Sequence, residues 1–344
     1  MHQLLNTLYV TTPNSYLRLE GETLRVEVEG ELKLHVPLHH LGGVVCFGNV
    51  LLSPALIHRC AEDGRSVVLL DRQGQFKARM EGPVSGNILL RVAQHEVAKC
   101  EQRATDIARA VVAGKLQNTR QVLLRGAREA ASYEEAERLR DVAELLAGSI
   151  RRLVNTACID TLRGIEGDGA KRYFEHLNLL VKPGARETFT MEGRSRRPPR
   201  DRMNALLSFL YVLLLNDCRS ALEGVGLDPQ LGFLHAVRPG RPALALDLME
   251  EFRAVLADRL ALTLINRGQV QGQDFRERPG GAVHMGEDLR KTVLVAYQKR
   301  KQEEVTHPVL EQRAPLGLMP HLQARLLARG IRGEVKGYLP YIHR

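Results

Sequence analysis

The chain has 344 residues, 44% of them hydrophobic and 26% charged, a balance that excludes a disordered or low-complexity protein and leaves room for about two domains. Lysine and arginine outnumber aspartate and glutamate by 49 to 40, a formal net charge of +9, which favours polyanionic partners such as nucleic acid or an acidic membrane surface. The five cysteines, Cys46, Cys60, Cys100, Cys158 and Cys218, lie far apart with no CxxC pair, which argues against a zinc ribbon or a disulfide framework and for a reducing, cytoplasmic setting.

The opening MHQLLNTLYVTTPN has no basic stretch followed by a long apolar run, so no signal peptide is expected. Then come short segments that alternate apolar and polar residues between Gly, Asn and Pro: LYVTT, YLRLEG, LRVEVEG and ELKLHVPL. They predict strands. VVCFGNVLLS and SVVLLDRQG are nearly continuous apolar runs, read as buried strands or a strand followed by a short helix. Residues 1–87 are therefore predicted to form a small β-rich domain.

The pattern changes near MEGPVSGN. From Leu89 to about Asn155 the chain is rich in Ala, Leu, Arg and Glu, with GKLQN and ASYEE read as joints between helices. Helical periodicity returns at 170–180, 202–224, 245–266 and 286–305, with long loops at 181–200 and 267–285. The longest apolar run, ALLSFLYVLLL, is shorter than the roughly 20 residues that span a bilayer. It predicts a core helix, and no membrane association. GEVKGYLPYI near the C-terminus has an isolated strand-like pattern. The expected class is α+β, a β-rich domain followed by a larger all-α domain over 88–344.

Counted at about 100° per residue, the segment 245–266 puts Leu248, Met249, Phe252, Val255 and Leu256 on one side. Asp247, Glu250, Glu251, Ala254 and Asp258 fall on the other. Such a helix is either amphipathic with its polar face in water or part of a site shared with His235, which precedes the turn RPGRP. A third group lies in RGIEGDGAKRYFEHL, where Gly164, Gly167 and Gly169 bracket Glu166. These glycines suggest close backbone approach or a sharp break, or else a helix end followed by a loop. Two carboxylates and one imidazole suit Mn²⁺ or Mg²⁺, ions that withdraw charge from a phosphodiester and activate a hydroxyl or water nucleophile. Spacing alone does not bring Glu166 to the other two.

GIEGDGAKRYFEHL, RPPRDRMNALLSFLYVLLL and GLDPQLGFLHAVRPGRPALALDLMEEFR, behind a β-rich front, together resemble the CRISPR-associated spacer-acquisition integrases, the Cas-one family. The resemblance runs in the same order over essentially the whole chain. It implies that Glu166, His235 and Glu250 hold one metal ion, with Asp247 a supporting carboxylate and Glu251 a solvated acid. It implies that Arg238 and Arg253 contact DNA. It also implies a reaction, in which the 3′-hydroxyls of a short prespacer DNA attack phosphodiesters of a CRISPR repeat without a covalent enzyme intermediate. The implied partners are double-stranded DNA, a Cas-two protein bridging a homodimer whose β domains supply a symmetric contact, and a Cas-four nuclease. The last follows from a C-terminal block similar to type I-C members. Two other readings stay open: a stand-alone repair nuclease acting on branched DNA, and a non-catalytic DNA-organising protein.

MEGRSRRPPRDRMN adds Arg194, Arg196, Arg197, Arg200 and Arg202. Arginine's planar donors match phosphate, so this segment reads as a DNA contact or as a solvating basic loop, ending at Asp201 as a predicted N-cap. Arg241 joins Arg238 and Arg253 beside the proposed ligands. Lys299, Arg300 and Lys301 form a second basic cluster, DNA-facing or simply polar. His39, His40 and the remaining histidines are read as structural.

Overall fold

The computed structural model describes residues 6–72, 76–80, 82, 88–195 and 197–343. They form two compact units, Met1–Gly86 and Asn87–Arg344.

The first unit holds strands β1 (Asn6–Val10), β2 (Ser15–Glu20), β3 (Thr23–Val28), β4 (Glu31–Pro37), β5 (Leu41–Phe47), β6 (Val50–Leu52), β7 (Ser66–Leu70) and β8 (Phe76–Met80), with helix α1 (Pro54–Glu62) before β7. They pair as two four-stranded sheets, β1-β5-β7-β8 and β4-β3-β2-β6. Within β2, Ser15 and Leu17 are buried while Tyr16 is exposed, the alternation of a half-covered sheet. The continuous run in β5 has a different cause. Val44 and Cys46 belong to the same core as Leu17 and Leu24, and Val45 and Phe47 on the other face are buried too. Ser53 starts α1 by accepting from the Leu56 amide at 3.2 Å, and Pro54 supplies a preset φ at the first helical position.

The second unit comprises α2 (Ile88–Lys99), α3 (Glu101–Glu129), α4 (Tyr133–Leu153), α5 (Ile159–His176), α6 (Pro183–Arg186), α7 (Arg202–Val225), α8 (Ala243–Glu250), α9 (Arg259–Asn266), α10 (Glu287–Gln302) and α11 (Met319–Ile331). Two small hairpins interrupt them: β9 (Phe275–Arg278) with β10 (Ala282–Met285), and β11 (Glu304–Thr306) with β12 (Arg313–Pro315). The class is α+β, a β-rich unit followed by a mainly helical one.

α7 is the core helix. It starts on Asp201, whose side chain accepts from the Asn204 amide at 2.7 Å, and ends on Gly226 at φ +93°, a left-handed cap that glycine adopts without cost. It is long and apolar enough to cross a membrane, with 61% of its most apolar window buried inside the unit.

Four sequence expectations change here. GKLQN is no joint: α3 runs through it, because a helical face packed against its neighbours tolerates one glycine. A β-carbon on Gly114 would lie 2.7 Å from Pro340, so the close approach of the C-terminal segment explains the residue. ASYEE is a joint, with Ser132 capping α4 through the Glu135 amide at 3.2 Å. The predicted helix over 245–266 is α8, a π-helical segment at Arg253–Asp258, and α9. The loop at 267–285 contains the β9–β10 hairpin, and GEVKGYLPYI is irregular rather than a strand.

Candidate active site

α3, α5, α8 and the loop before α8 supply the site. That loop, residues 227–242, is pinned from α2. The buried amide of Gln94 donates to the Asp228 and Leu231 carbonyls at 2.9 Å each and accepts from the Asp228 amide at 2.9 Å. Gly232 lets the loop lie flat on α8, since a β-carbon there would stand 2.6 Å from the Ala243 backbone. Arg163 of α5 donates to the Leu234 carbonyl at 2.7 Å.

The loop then wraps around one carboxylate. Asp247 Oδ2 accepts from the Phe233 and Leu234 amides at 2.6 and 3.0 Å, and Oδ1 from the His235 amide at 2.9 Å. Oδ1 also lies 2.7 Å from His235 Nδ1. A carboxylate accepts only, so Nδ1 carries a proton, and in the neutral ring Nε2 presents its lone pair. Nε2 faces Glu250 Oε1 at 3.7 Å.

Glu250 sits among cations. Its Oε1 pairs with Arg253 at 3.0 Å and its Oε2 with Lys115 Nζ at 2.8 Å. The Arg253 guanidinium also lies over the Tyr211 ring, 5.0 Å from its centroid, a cation–π geometry. Burial pushes the Glu250 carboxyl up, but Arg253, Lys115 and His235 outweigh it and hold its pKa below the usual carboxylate range. Lys115 Nζ makes a short contact with Glu166 Oε1 as well. Glu166 stands in the middle of α5 with no break around it. Gly169 packs against Leu116, while Gly164 and Gly167 face open space. Tertiary packing thus brings Glu166, His235 and Glu250 to one place, with Asp247 behind the histidine.

The acids that the helical wheel grouped on one face are covered by neighbouring segments, Asp247 by the loop before α8 and Glu251 by the C-terminal region. A π segment advances by less than 100° per residue, so side chains from Arg253 onward, Asp258 among them, leave their predicted faces. No solvated face survives: Asp247, Glu250, Glu251 and Asp258 are 1%, 2%, 0% and 2% exposed. Glu251, expected in water, is the centre of a buried network. It accepts from Tyr338 Oη at 2.5 Å, Gln323 Nε2 at 3.0 Å and the Tyr341 amide at 2.6 Å. Burial raises its pKa to about 7 against these donors.

The arginines separate. Arg197, Arg200 and Arg238 are exposed, and Arg241 is half-buried. Arg194 is tied to the Asn204 side chain and to Ser208 Oγ at 3.2 Å, and its guanidinium lies 5.1 Å from the Tyr211 centroid. Arg202 donates to the Thr188 carbonyl at 3.3 Å. Arg196 lies outside the described residues. In the second basic cluster Lys301 is buried against Asp217 at 2.9 Å, and Arg300 pairs with Glu303, leaving Lys299 exposed.

Sequence reasoning missed Lys115. The signal was present: Ala108, Val111, Lys115, Thr119 and Val122 recur at helical spacing and are all buried, so this lysine stands in a core stripe, where an unpaired cation is not tolerated.

Among the described residues no three His, Cys, Asp or Glu side chains stand together closely enough to hold a metal ion as placed, and the Lys115 ammonium lies between the two glutamates. The donor set still suits a hard divalent ion. It offers two carboxylates and an imidazole whose second nitrogen is fixed by a carboxylate, and a cation already bridges the acids.

A helical unit with this acid, imidazole and cation cluster, following a β-rich unit, shares its fold with Cas1 proteins and a casposase. A Cas1 protein from Thermotoga maritima superposes with a TM-score of 0.82 at 22% identity, covering 97% of this chain and 99% of that one. A casposase bound to integration product gives 0.82 at 19% identity, covering 97% and 93%. A Cas6-RT-Cas1–Cas2 complex gives 0.81 at 23% over 98% of this chain and 36% of that one. The model for CRISPR associated protein Cas1 matches residues 8–299. A CRISPR-associated endonuclease Cas1 of Moorella thermoacetica is 60% identical over 100% of both chains. A Cas4 exonuclease/Cas1 endonuclease fusion of Geobacter sulfurreducens is 34% identical over 98% of this chain and 60% of that protein. The chain belongs to the Cas1 family.

Proposed function

We propose that this Cas1-family enzyme is a CRISPR adaptation integrase that joins prespacer 3′-ends to the repeat by direct transesterification. The observation that carries the reading is the convergence of Glu166 and Glu250 on Lys115, with His235 Nε2 3.7 Å from Glu250 and exposed Arg238 three residues beyond the histidine. Glu166, Glu250 and His235 Nε2 would hold a Mn²⁺ or Mg²⁺ ion, which supplies charge withdrawal from the phosphate under attack. Asp247 fixes the Nδ1–H tautomer of His235 and aims Nε2 inward. Arg253 holds the Glu250 carboxylate in place, and Arg238, Arg241, Arg197 and Arg200 attract the DNA backbone. Such contacts position a duplex but carry no sequence information.

The reaction balances without a covalent enzyme intermediate. The prespacer 3′-oxygen bonds to a repeat phosphorus, the phosphorus–O3′ bond of the repeat breaks, and the proton lost by the attacking hydroxyl ends on the departing 3′-oxygen. With water as nucleophile the same site hydrolyses DNA, in keeping with the endonuclease name of its relatives. The Cas1–Cas2 complex and Cas4 fusion among the relatives support Cas2 and Cas4 as partners. A homodimer bridged by Cas2 would supply two sites for the two ends of one fragment.

The test is insertion of a labelled prespacer into a supercoiled repeat-bearing plasmid, with and without the Cas2 partner. Insertion that needs Mn²⁺ or Mg²⁺ and disappears in Glu166→Ala, His235→Ala and Glu250→Ala supports the reading. Normal insertion by the triple variant overturns it, and cleavage of branched DNA without any insertion favours the repair nuclease.

A further inference from the structure

The metal-site reading leaves Lys115 without a task, yet it touches both glutamates. Its ammonium contacts Glu166 Oε1 and lies 2.8 Å from Glu250 Oε2, in the space between two carboxylates that a bridging divalent ion would also require. We infer that Lys115 is a tethered cation that holds Glu166 and Glu250 together before an ion binds, and that it must withdraw for the ion to enter. This rests on the proposed metal site and adds a residue that sets its affinity.

Three features of the surroundings fit a withdrawing lysine. The first is the contrast with Arg253. That guanidinium is fixed by Glu250 at 3.0 Å and by the Tyr211 ring, so it stays when the charge between the acids changes. A lysine ammonium, on four rotatable carbons, makes no comparable planar contact and is free to reorient. The second is space. A cavity of about 20 Å³ lies beside Lys115, lined also by Tyr173, Tyr211, Arg253 and Asp258, and that is about the room one water molecule needs. The third is chemistry in that cavity. The buried Asp258 carboxylate lines it, accepting from Tyr211 at 2.7 Å and facing the Tyr173 hydroxyl. An ammonium leaving the glutamates has a buried carboxylate lining the same cavity, so a partner for the displaced charge is at hand.

Competition has a measurable size. The apparent affinity of a site falls by the fraction of molecules in which it is free, so a lysine docked in about nine molecules of ten weakens ion binding roughly tenfold. Replacing it by an apolar side chain of similar length removes the competitor and leaves two carboxylates that repel until an ion arrives.

The experiment is Mn²⁺ titration by calorimetry on the full chain stripped with chelator, wild type against Lys115→Met and Lys115→Arg. Lys115→Met is expected to bind Mn²⁺ about tenfold more tightly and to show a larger rise in thermal midpoint on ion addition, while Lys115→Arg binds no more tightly than wild type. A second readout needs no variant protein beyond assignment: in wild type labelled with ¹⁵N-lysine, the Lys115 ammonium resonance shifts when diamagnetic Mg²⁺ is added. Unchanged or weaker Mn²⁺ binding in Lys115→Met, or an unmoved resonance while Mg²⁺ binds, overturns the inference and leaves the metal site standing. No Mn²⁺ binding by either wild type or Lys115→Met overturns both.

Discussion

Asp247 Oδ1 lies 2.7 Å from Nδ1 of His235 and accepts the His235 amide at 2.9 Å, so one carboxylate fixes both the ring and the backbone of the same residue. The pair acts as a unit. Asp247 is buried, and every one of its hydrogen bonds described here runs to residues 233–235. Its contacts orient His235. Asp247→Asn places an NH₂ against backbone amides or the imidazole and removes the charge that favours Nδ1–H. Partners of this kind are worth on the order of 10- to 100-fold in metal affinity. Mn²⁺ calorimetry should show a loss in that range, with strand transfer falling in parallel.

Glu251 makes a prediction of the opposite kind, because its network faces the C-terminal segment. Three donors converge on it, and Tyr341 stacks on Phe252 with ring centroids 5.1 Å apart. Removing the carboxylate leaves buried donors unsatisfied, at a cost of about 1–3 kcal/mol each. Glu251→Ala should therefore lower unfolding stability by roughly 3 kcal/mol or more, read by urea denaturation. Glu251→Gln, which keeps one acceptor oxygen, should lose clearly less.

The C-terminal segment also carries a pH dependence. Burial, reinforced by Arg259, Arg300 and Arg125, pulls the His343 pKa down to about 4, while its Nδ1 lies 3.0 Å from Tyr341 Oη. The unfolded histidine titrates near 6.5. The unfolded state therefore binds more protons between these values, and stability falls as pH drops from about 6.5 to 4. His343→Gln, which does not titrate, should flatten that part of the thermal midpoint–pH curve. A curve of unchanged slope would assign the acid sensitivity elsewhere.

The arginines should divide by exposure. Arg197→Ala and Arg200→Ala, on exposed side chains, are expected to weaken DNA binding uniformly across sequences and each to reduce the salt dependence by about one ion, with no change in thermal midpoint. Arg194→Ala breaks contacts to Asn204, Ser208 and Tyr211 and should lower the thermal midpoint itself. Fluorescence anisotropy at several salt concentrations, alongside melting curves, separates the two effects.

Much of the fold was legible because it rests on local rules. Alternation in β2 and the unbroken run in β5 marked strands with one and two covered faces. Asp201 marked a helix start, since a short polar side chain satisfies amides that a helix leaves open, and ASYEE marked a joint. The family blocks pointed to Glu166, His235 and Glu250, and Asp247 was assigned a supporting place. Other elements misled for physical reasons. Gly114 looks like a helix break, but it answers to Pro340, a neighbour remote in sequence. A helical wheel shows a polar face but not the C-terminal segment that covers it at Glu251, so the burial of this acid was not legible.

The sequence by itself determined the order of a β-rich and a helical unit, the caps, the apolar core of α7 and the residue types of the site. Those follow from short-range chemistry and from blocks whose order is written in the chain. Only the tertiary structure decided which buried acid serves which partner: Asp247 for His235, Glu250 for Lys115 and Arg253, Glu251 for the C-terminal segment. Adjacent carboxylates are interchangeable in a sequence. They become distinct when packing places each one, stripped of water, against a different set of donors.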